Sequence, residues 1–129
     1  MRFLLDTNIL LWVLLRPARL DAATLAMIED EQNAVLFSIA SIWEIAIKSR
    51  LGREDFNARP SDVHRFARGA AFEELPVLAD AAIRVAELPL HHRDPFDRLL
   101  VAQAMVGPMR LLTTDAVLAQ YSELVTLVG

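Results

Sequence analysis

The sequence predicts an α/β fold with a mainly parallel central sheet and helices on both of its faces. Three observations predict it. Short apolar runs of four or five residues alternate with longer segments whose apolar residues recur at helical spacing. The junctions carry the punctuation of strand-to-helix turns, with Asp, Asn or Ser in front of the helical segments and Gly or Pro behind them. The chain has 129 residues, 54% of them hydrophobic, which is the size and apolar content of one well-filled core. No repeat or low-complexity linker divides it, so one domain is expected over residues 1–129.

Taken in order, residues 2–5 are an apolar run that ends in Asp6-Thr7-Asn8, the pattern of a buried strand running into a turn. Residues 9–15 read as a buried helix closed by Arg16-Pro17. A second helix is expected over about 21–31, with Asp21 as its cap and Leu25, Met27 and Ile28 facing inward. Asn33 marks a turn, residues 34–37 a second strand, and Ser38 the N-cap of a helix over 39–51. Ile39, Ile42, Trp43, Ala46 and Ile47 give that helix its apolar period; Lys48 and Arg50 suit its last turns and Gly52 its end. Residues 53–59 read as a polar loop. Pro60 opens a helix to about residue 71 that carries Val63, Phe66 and Ala67 inward.

In the second half, residues 74–78 form a weak strand, and Pro76 confines it to an edge. Residues 80–88 are helical and Pro89 ends them. In the next helix, over 95–106, Asp94 is placed to cap and Pro95 suits the first position; Gly107-Pro108 stops it. Residues 110–113 are a strand, Asp115 starts a short helix, and 124–128 are the last strand. In a parallel sheet of this kind, ligands bind beyond the carboxyl ends of the strands, near the point where strand order reverses.

Composition narrows the chemistry. With no cysteine there is no thiol nucleophile, disulfide or thiolate zinc site. The apolar N-terminus, broken by Asp6 and Asn8, is too short to span a bilayer, which takes ~20 residues. A cytoplasmic protein without membrane attachment is expected. The net charge of -4 does not advertise a nucleic-acid binder. However, if four of the 17 acids hold metal, the other 13 balance the 13 Lys and Arg.

Four acids invite that reading, and each has a plainer one. Asp6 and Asp115 follow strands, where Asp commonly caps a turn or helix. Glu44 can pair with Lys48 one turn later, or close a capping box with Ser41. Asp97 falls in the first turn of its helix, where the dipole favours an acid. Asp94, directly before Pro95, reads first as a cap. Together the picture changes, because strand ends and helix starts share one edge of a parallel sheet. Carboxylates gathered there repel and resist ionisation unless a cation neutralises them. Hard oxygen ligands suit Mg²⁺ or Mn²⁺, and such sites act on phosphate groups.

Four stretches then carry a resemblance across the chain: Phe3-Leu4-Leu5-Asp6-Thr7-Asn8, Ser41-Ile42-Trp43-Glu44-Ile45-Ala46-Ile47-Lys48, the run HRDPFDRLLVAQA from His92 to Ala104, and Leu111-Leu112-Thr113-Thr114-Asp115. In this order they resemble a PIN-domain ribonuclease, above all the VapC-type toxins of bacterial toxin–antitoxin pairs. The resemblance implies a three-layer α/β/α PIN-like fold. It also implies that Asp6, Glu44, Asp97 and Asp115 hold Mg²⁺ or Mn²⁺ for hydrolysis of RNA phosphodiesters, with Asp94 as a further possible ligand. Thr7 and Asn8 belong to its first motif, Arg98 to its third, and Thr113 is implied to hydrogen-bond near the metals; all four are expected on the substrate side. An antitoxin partner and a homodimer are implied as well.

Two other readings compete. One is a receiver-like signalling domain that binds one Mg²⁺ without catalysis, although such domains pair adjacent acids near the first strand and here Asp6 is followed by Thr7-Asn8. The other is a DNA nuclease on the same scaffold. Lys48, Arg50, Arg53, Arg93 and Arg98 are equally readable as phosphate contacts or as solvated helix ends. His91 and His92 could serve RNA contact or proton transfer, but loop histidines usually do neither, and a metal-bound water already supplies a nucleophile. Leu11, Trp12, Leu14, Leu15, Trp43 and Ile47 are either core or a groove for a partner helix.

Overall fold

A computed structural model describes residues 1–53 and 56–129. Five strands form one all-parallel sheet: β1 (Arg2–Leu5), β2 (Ala34–Ser38), β3 (Glu73–Leu75), β4 (Arg110–Thr113) and β5 (Val125–Leu127). The helices are α1 (Thr7–Leu15), α2 (Ala22–Glu29), α3 (Ile39–Arg50), α4 (Pro60–Gly69), α5 (Ala79–Val85) and α6 (Pro95–Val106), with 3₁₀ turns at Pro17–Arg19 and Ala116–Gln120.

The strand residues alternate between two apolar layers, as the period of two requires. Phe3, Leu5, Val35, Phe37 and Leu112 enter one cluster, with Ile9 and Leu10 of α1, Ile45 of α3 and Val63 of α4. Leu4, Leu36 and Leu111 enter the other, with Ala81 of α5, Leu100, Val101 and Ala104 of α6, and Leu118. Helices on both faces and a sheet between them make the expected three-layer α/β/α architecture.

The strand order is β3-β2-β1-β4-β5. The chain builds outward from β1 to β3, then crosses back to lay β4 on the other side of β1. Order therefore reverses between β1 and β4, and their carboxyl ends frame the crevice where such sheets bind ligands. Leu5 is in register with Leu112, so Asp6 and Thr113 stand side by side one step further on. This order also differs from the 2-1-3-4-5 order of receiver-type sheets, which sets that alternative aside.

Local departures have local causes. Helix α1 starts two residues earlier than the apolar period suggests, because Asp6 caps it directly, accepting from the Thr7 amide at 2.7 Å. Ser38 caps α3 by accepting from the Ala40 amide (3.0 Å), so the helix begins at Ile39 and no Ser41–Glu44 capping box forms. Gly52, at φ +75°, takes the left-handed turn that ends it. Helices α2, α4 and α5 and strand β5 are shorter than their sequence patterns suggest. In α4, Val63 and Ala67 are buried as expected, but Phe66 is 42% exposed. The buried stripe is one residue wide at each turn, and Phe66 lies outside it under the Arg65 guanidinium, 5.3 Å from its ring centre. The loop read as polar contains Phe56, which is buried against the core; Glu54 and Asp55 of that loop lie outside the described residues. No helix among the described residues is long and apolar enough to cross a membrane.

Candidate metal centre

The four acids come from four different elements. Asp6 ends β1, Glu44 lies in the second turn of α3, Asp97 in the first turn of α6, and Asp115 follows β4. They line one cavity of about 210 Å³ at the carboxyl end of the sheet, together with Lys48, His92 and Asp94. Asn8, Arg53 and Phe56 line it too.

Asp6 and Glu44 are buried and individually held. The Thr113 hydroxyl donates to Asp6 Oδ2 at 2.6 Å, and the Thr7 hydroxyl donates to Glu44 Oε1 at 2.6 Å. Ser41 Oγ stands 2.9 Å from the Thr7 hydroxyl. Glu44 Oε2 accepts from Lys48 Nζ one turn along α3, so the predicted helix pair exists within the cavity. Lys48 Nζ also reaches Asp94 Oδ2 at 3.5 Å. Burial opposes the charge on Lys48, but its hydrogen bond to Glu44 and the charges of Glu44 and Asp94 outweigh burial and hold its pKa above the ordinary value.

Two of the acids resist ionisation. Burial pushes Asp6 up from 3.8 to about 6; the Thr113 and Thr7 bonds oppose this, and the charges of Glu44 and Asp115 add to it. Burial pushes Asp97 further, to about 8, reinforced by the charges of Asp6, Asp94 and Glu44 and only partly relieved by Lys48. One ammonium does not neutralise this many carboxylates. A cluster of hard oxygens on four rigid elements, with too little charge to ionise freely, fits a small divalent cation. The donor set matches Mg²⁺ or Mn²⁺ in chemistry, and Asp6, Glu44, Asp97 and Asp115 are the residues that would hold it.

Asp94 behaves as a cap. Its Oδ1 accepts from the amides of Phe96 (2.8 Å) and Asp97 (3.2 Å), fixing the first turn of α6 and thereby the position of Asp97. Asp94→Ser keeps an acceptor at the cap and should leave thermal stability nearly unchanged, whereas Asp94→Ala should cost about 1 kcal/mol. Urea titrations of the two variants check this; equal, larger losses would mean that the carboxylate itself is required.

Two residues stand elsewhere than the sequence reading placed them. Arg98, expected on the substrate side, has a guanidinium that donates to the carbonyls of Val85, Leu88, Pro89 and His92 and to Tyr121 Oη, at 3.0–3.4 Å. Both terminal nitrogens of the guanidinium are thus committed to the loop that precedes α6. His92, read as a bystander, has its Nε2 at 3.1 Å from Asp115 Oδ2 and 3.3 Å from Asp97 Oδ2. The signal available in the sequence was its place two residues before the cap of the acid-bearing helix. Thr7 is a buried hydroxyl that orients Glu44, and Thr113 one that orients Asp6; Asn8 remains at the cavity wall.

Comparison with known proteins bears on the fold and the family. Among solved structures, a chain of the VapBC2 complex from Rickettsia felis, crystallised with a DNA fragment from its promoter, superposes with a TM-score of 0.72 at 14% sequence identity, covering 98% of this chain and 97% of that one. At that identity the likeness is one of fold. No curated protein matches the chain by sequence. The PIN domain profile matches residues 3–124, a span that runs from β1 through all four acids almost to β5. The chain therefore belongs to the PIN domain family, a family of nucleases.

Proposed function

We propose that this PIN domain, spanning residues 1–129, is a divalent-metal-dependent endoribonuclease: a VapC-type toxin of the cytoplasm that a cognate antitoxin silences. The observation that carries the catalytic part is the meeting of Asp6, Glu44, Asp97 and Asp115 in one cavity at the β1/β4 crossover, with Asp6 and Asp97 pushed upward by burial and mutual repulsion. When bound there, Mg²⁺ or Mn²⁺ supplies Lewis acidity toward a phosphodiester and a water nucleophile at neutral pH. The chain's own work is to hold the acids. Thr113 and Thr7 orient Asp6 and Glu44, the Asp94 cap sets Asp97, and Lys48 keeps a fixed positive charge beside them where a phosphate oxygen would approach.

Support for a protein partner comes from α3. Trp43, Ile47 and Leu51 succeed one another at four-residue spacing and are 60%, 37% and 72% exposed, a continuous apolar stripe beside the site. Leu11 is core, whereas Leu15 is 42% exposed. The fold neighbour was solved as a toxin–antitoxin complex, in keeping with an antitoxin or a second copy on such a surface.

The test is cleavage of single-stranded RNA and of single-stranded DNA of the same sequence by the purified protein, with Mn²⁺, with Mg²⁺ and with chelator. RNA should be cut internally with either cation and left intact with chelator. Cleavage of DNA in preference to RNA would favour the DNA-nuclease alternative, and cleavage unaffected by chelator would sink the metal mechanism. Expression alone should arrest growth, and co-expression of the small open reading frame beside the gene should relieve it.

A further inference from the structure

We propose that His92 is a positioning residue of this site, a fixed Nε2–H donor that ties Asp97 to Asp115, and that Arg98 and Tyr121 lock it in place by clasping the loop that carries it. The proposal rests on the metal-site reading above and adds to it how two of the four acids are held.

His92 lies on the connection between α5 and α6, which has no regular structure of its own around it. Its backbone is nevertheless fixed on both sides. Tyr121 Oη accepts from the His92 amide at 2.8 Å and from the His91 amide at 3.1 Å. The Arg98 guanidinium gathers the carbonyls of Val85, Leu88 and Pro89 before it and the carbonyl of His92 itself, and it donates to Tyr121 Oη at 3.1 Å. The His91 ring packs edge-on against Tyr121, with centroids 4.9 Å apart. A loop that is free in sequence is thus bolted to α6 and to the 3₁₀ turn after Asp115.

The imidazole is fixed as well. The Asp94 amide lies 3.1 Å from His92 Nδ1, and a backbone amide can only donate. Nδ1 is therefore the nitrogen with the free electron pair, and the ring proton sits on Nε2. That N–H faces Asp115 Oδ2 and Asp97 Oδ2, two carboxylates from different elements. Three of the acids then have a hydrogen-bond donor from a neighbouring motif, Thr113 for Asp6, Thr7 for Glu44 and His92 for Asp115, and Asp97 Oδ2 stands 3.3 Å from the same His92 nitrogen. A further consequence concerns metal choice. His92, Asp97 and Asp115 are grouped closely enough to ligate one ion. Since Nε2 carries the proton, the imidazole does not ligate and the donor set stays all-oxygen, which suits Mg²⁺ and Mn²⁺ and disfavours the imidazole-seeking metals.

Two measurements test this. In the first, ¹⁵N spectra of the histidine ring in metal-free protein should show His92 protonated on Nε2 and keep that pattern when Mg²⁺ is added. In the second, calorimetric Mg²⁺ and Mn²⁺ affinities are compared with wild type. His92→Leu and Tyr121→Phe should each weaken binding about 10- to 100-fold, the usual cost of losing a group that orients a ligand. His92→Gln, which restores an N–H near the Nε2 position, should recover most of it. Thermal melts without metal confirm that each variant is folded. A proton on Nδ1, a ligand-type shift of Nε2 on adding Mg²⁺, or undiminished affinity in folded His92→Leu would overturn the role of His92. A wild type that binds neither cation would instead overturn the metal site on which that role depends.

Discussion

Asp97→Asn is expected to abolish RNA cleavage and, in the absence of metal, to make the protein more stable. The two effects come from one cause. Burial and the charges of Asp6, Asp94 and Glu44 push the Asp97 carboxyl to about 8, so at neutral pH the fold either carries a disfavoured charge or takes up a proton. A shift of this size corresponds to at most ~6 kcal/mol. Since the side chain is 17% exposed, water screens part of the repulsion, and a gain of about 1–3 kcal/mol is the realistic expectation. The amide keeps the size and loses the charge. It also removes a strong cation ligand at an acid that Asp6, Asp94 and Glu44 all repel, so activity should fall by more than the ~100-fold typical of losing an outer partner. A melting curve and an RNA-cleavage assay on the same preparation check both halves. A variant that is inactive but less stable would indicate disrupted packing, and a variant that is stable and fully active would remove Asp97 from the catalytic set.

That pairing of effects explains what could and could not be read in the linear chain. The strands and most helix starts were legible because their determinants are local: an apolar run, a cap at Asp21, Ser38 or Asp94, a proline at a first turn. The four acids were legible only as a set, through where parallel strands end. The function of the clasp was not legible. Arg98 sits one residue after Asp97 and looks like a phosphate contact, but four carbonyls and Tyr121 engage both of its terminal nitrogens. Tyr121 lies 29 positions from His92 and carries no motif. Such contacts are written in tertiary geometry, and a loop residue acquires its role only when the hydrogen-bond partners of its backbone are known. Phe56 and Phe66 erred in opposite directions for the same reason: which apolar residue is covered depends on what packs over it, not on its own period.

The same electrostatics predict an unusual pH dependence for the metal-free protein. Unfolded aspartates titrate near 3.8, whereas in the fold Asp6 titrates near 6 and Asp97 near 8. Between 3.8 and 6 the folded state binds more protons at both positions, and between 6 and 8 at Asp97 alone. Stability from these groups is therefore greatest near the low end of the window and is lost as pH rises to about 8, beyond which nothing more is lost. The metal-free protein should melt at a higher temperature at pH 5.5 than at pH 8.5. Bound Mg²⁺ or Mn²⁺ should flatten this dependence, because the ligating acids are then ionised in the fold as they are in the unfolded chain. The cation competes with those same protons, so its affinity grows with pH, and at a hundred times its dissociation constant it contributes ~2.7 kcal/mol, roughly 10 °C in a domain of this size. The gap between the melting temperatures with and without metal should therefore widen steadily from pH 5.5 to 8.5. Asp97→Asn should flatten the metal-free curve above pH 6, which separates the contribution of the site from that of surface groups. A metal-free melting temperature that rises across this range, or a gap that narrows, would show that the acids are already neutralised by the protein itself. Lys48 would then be the resident cation of the site, and a metal ion would have no charge left to balance.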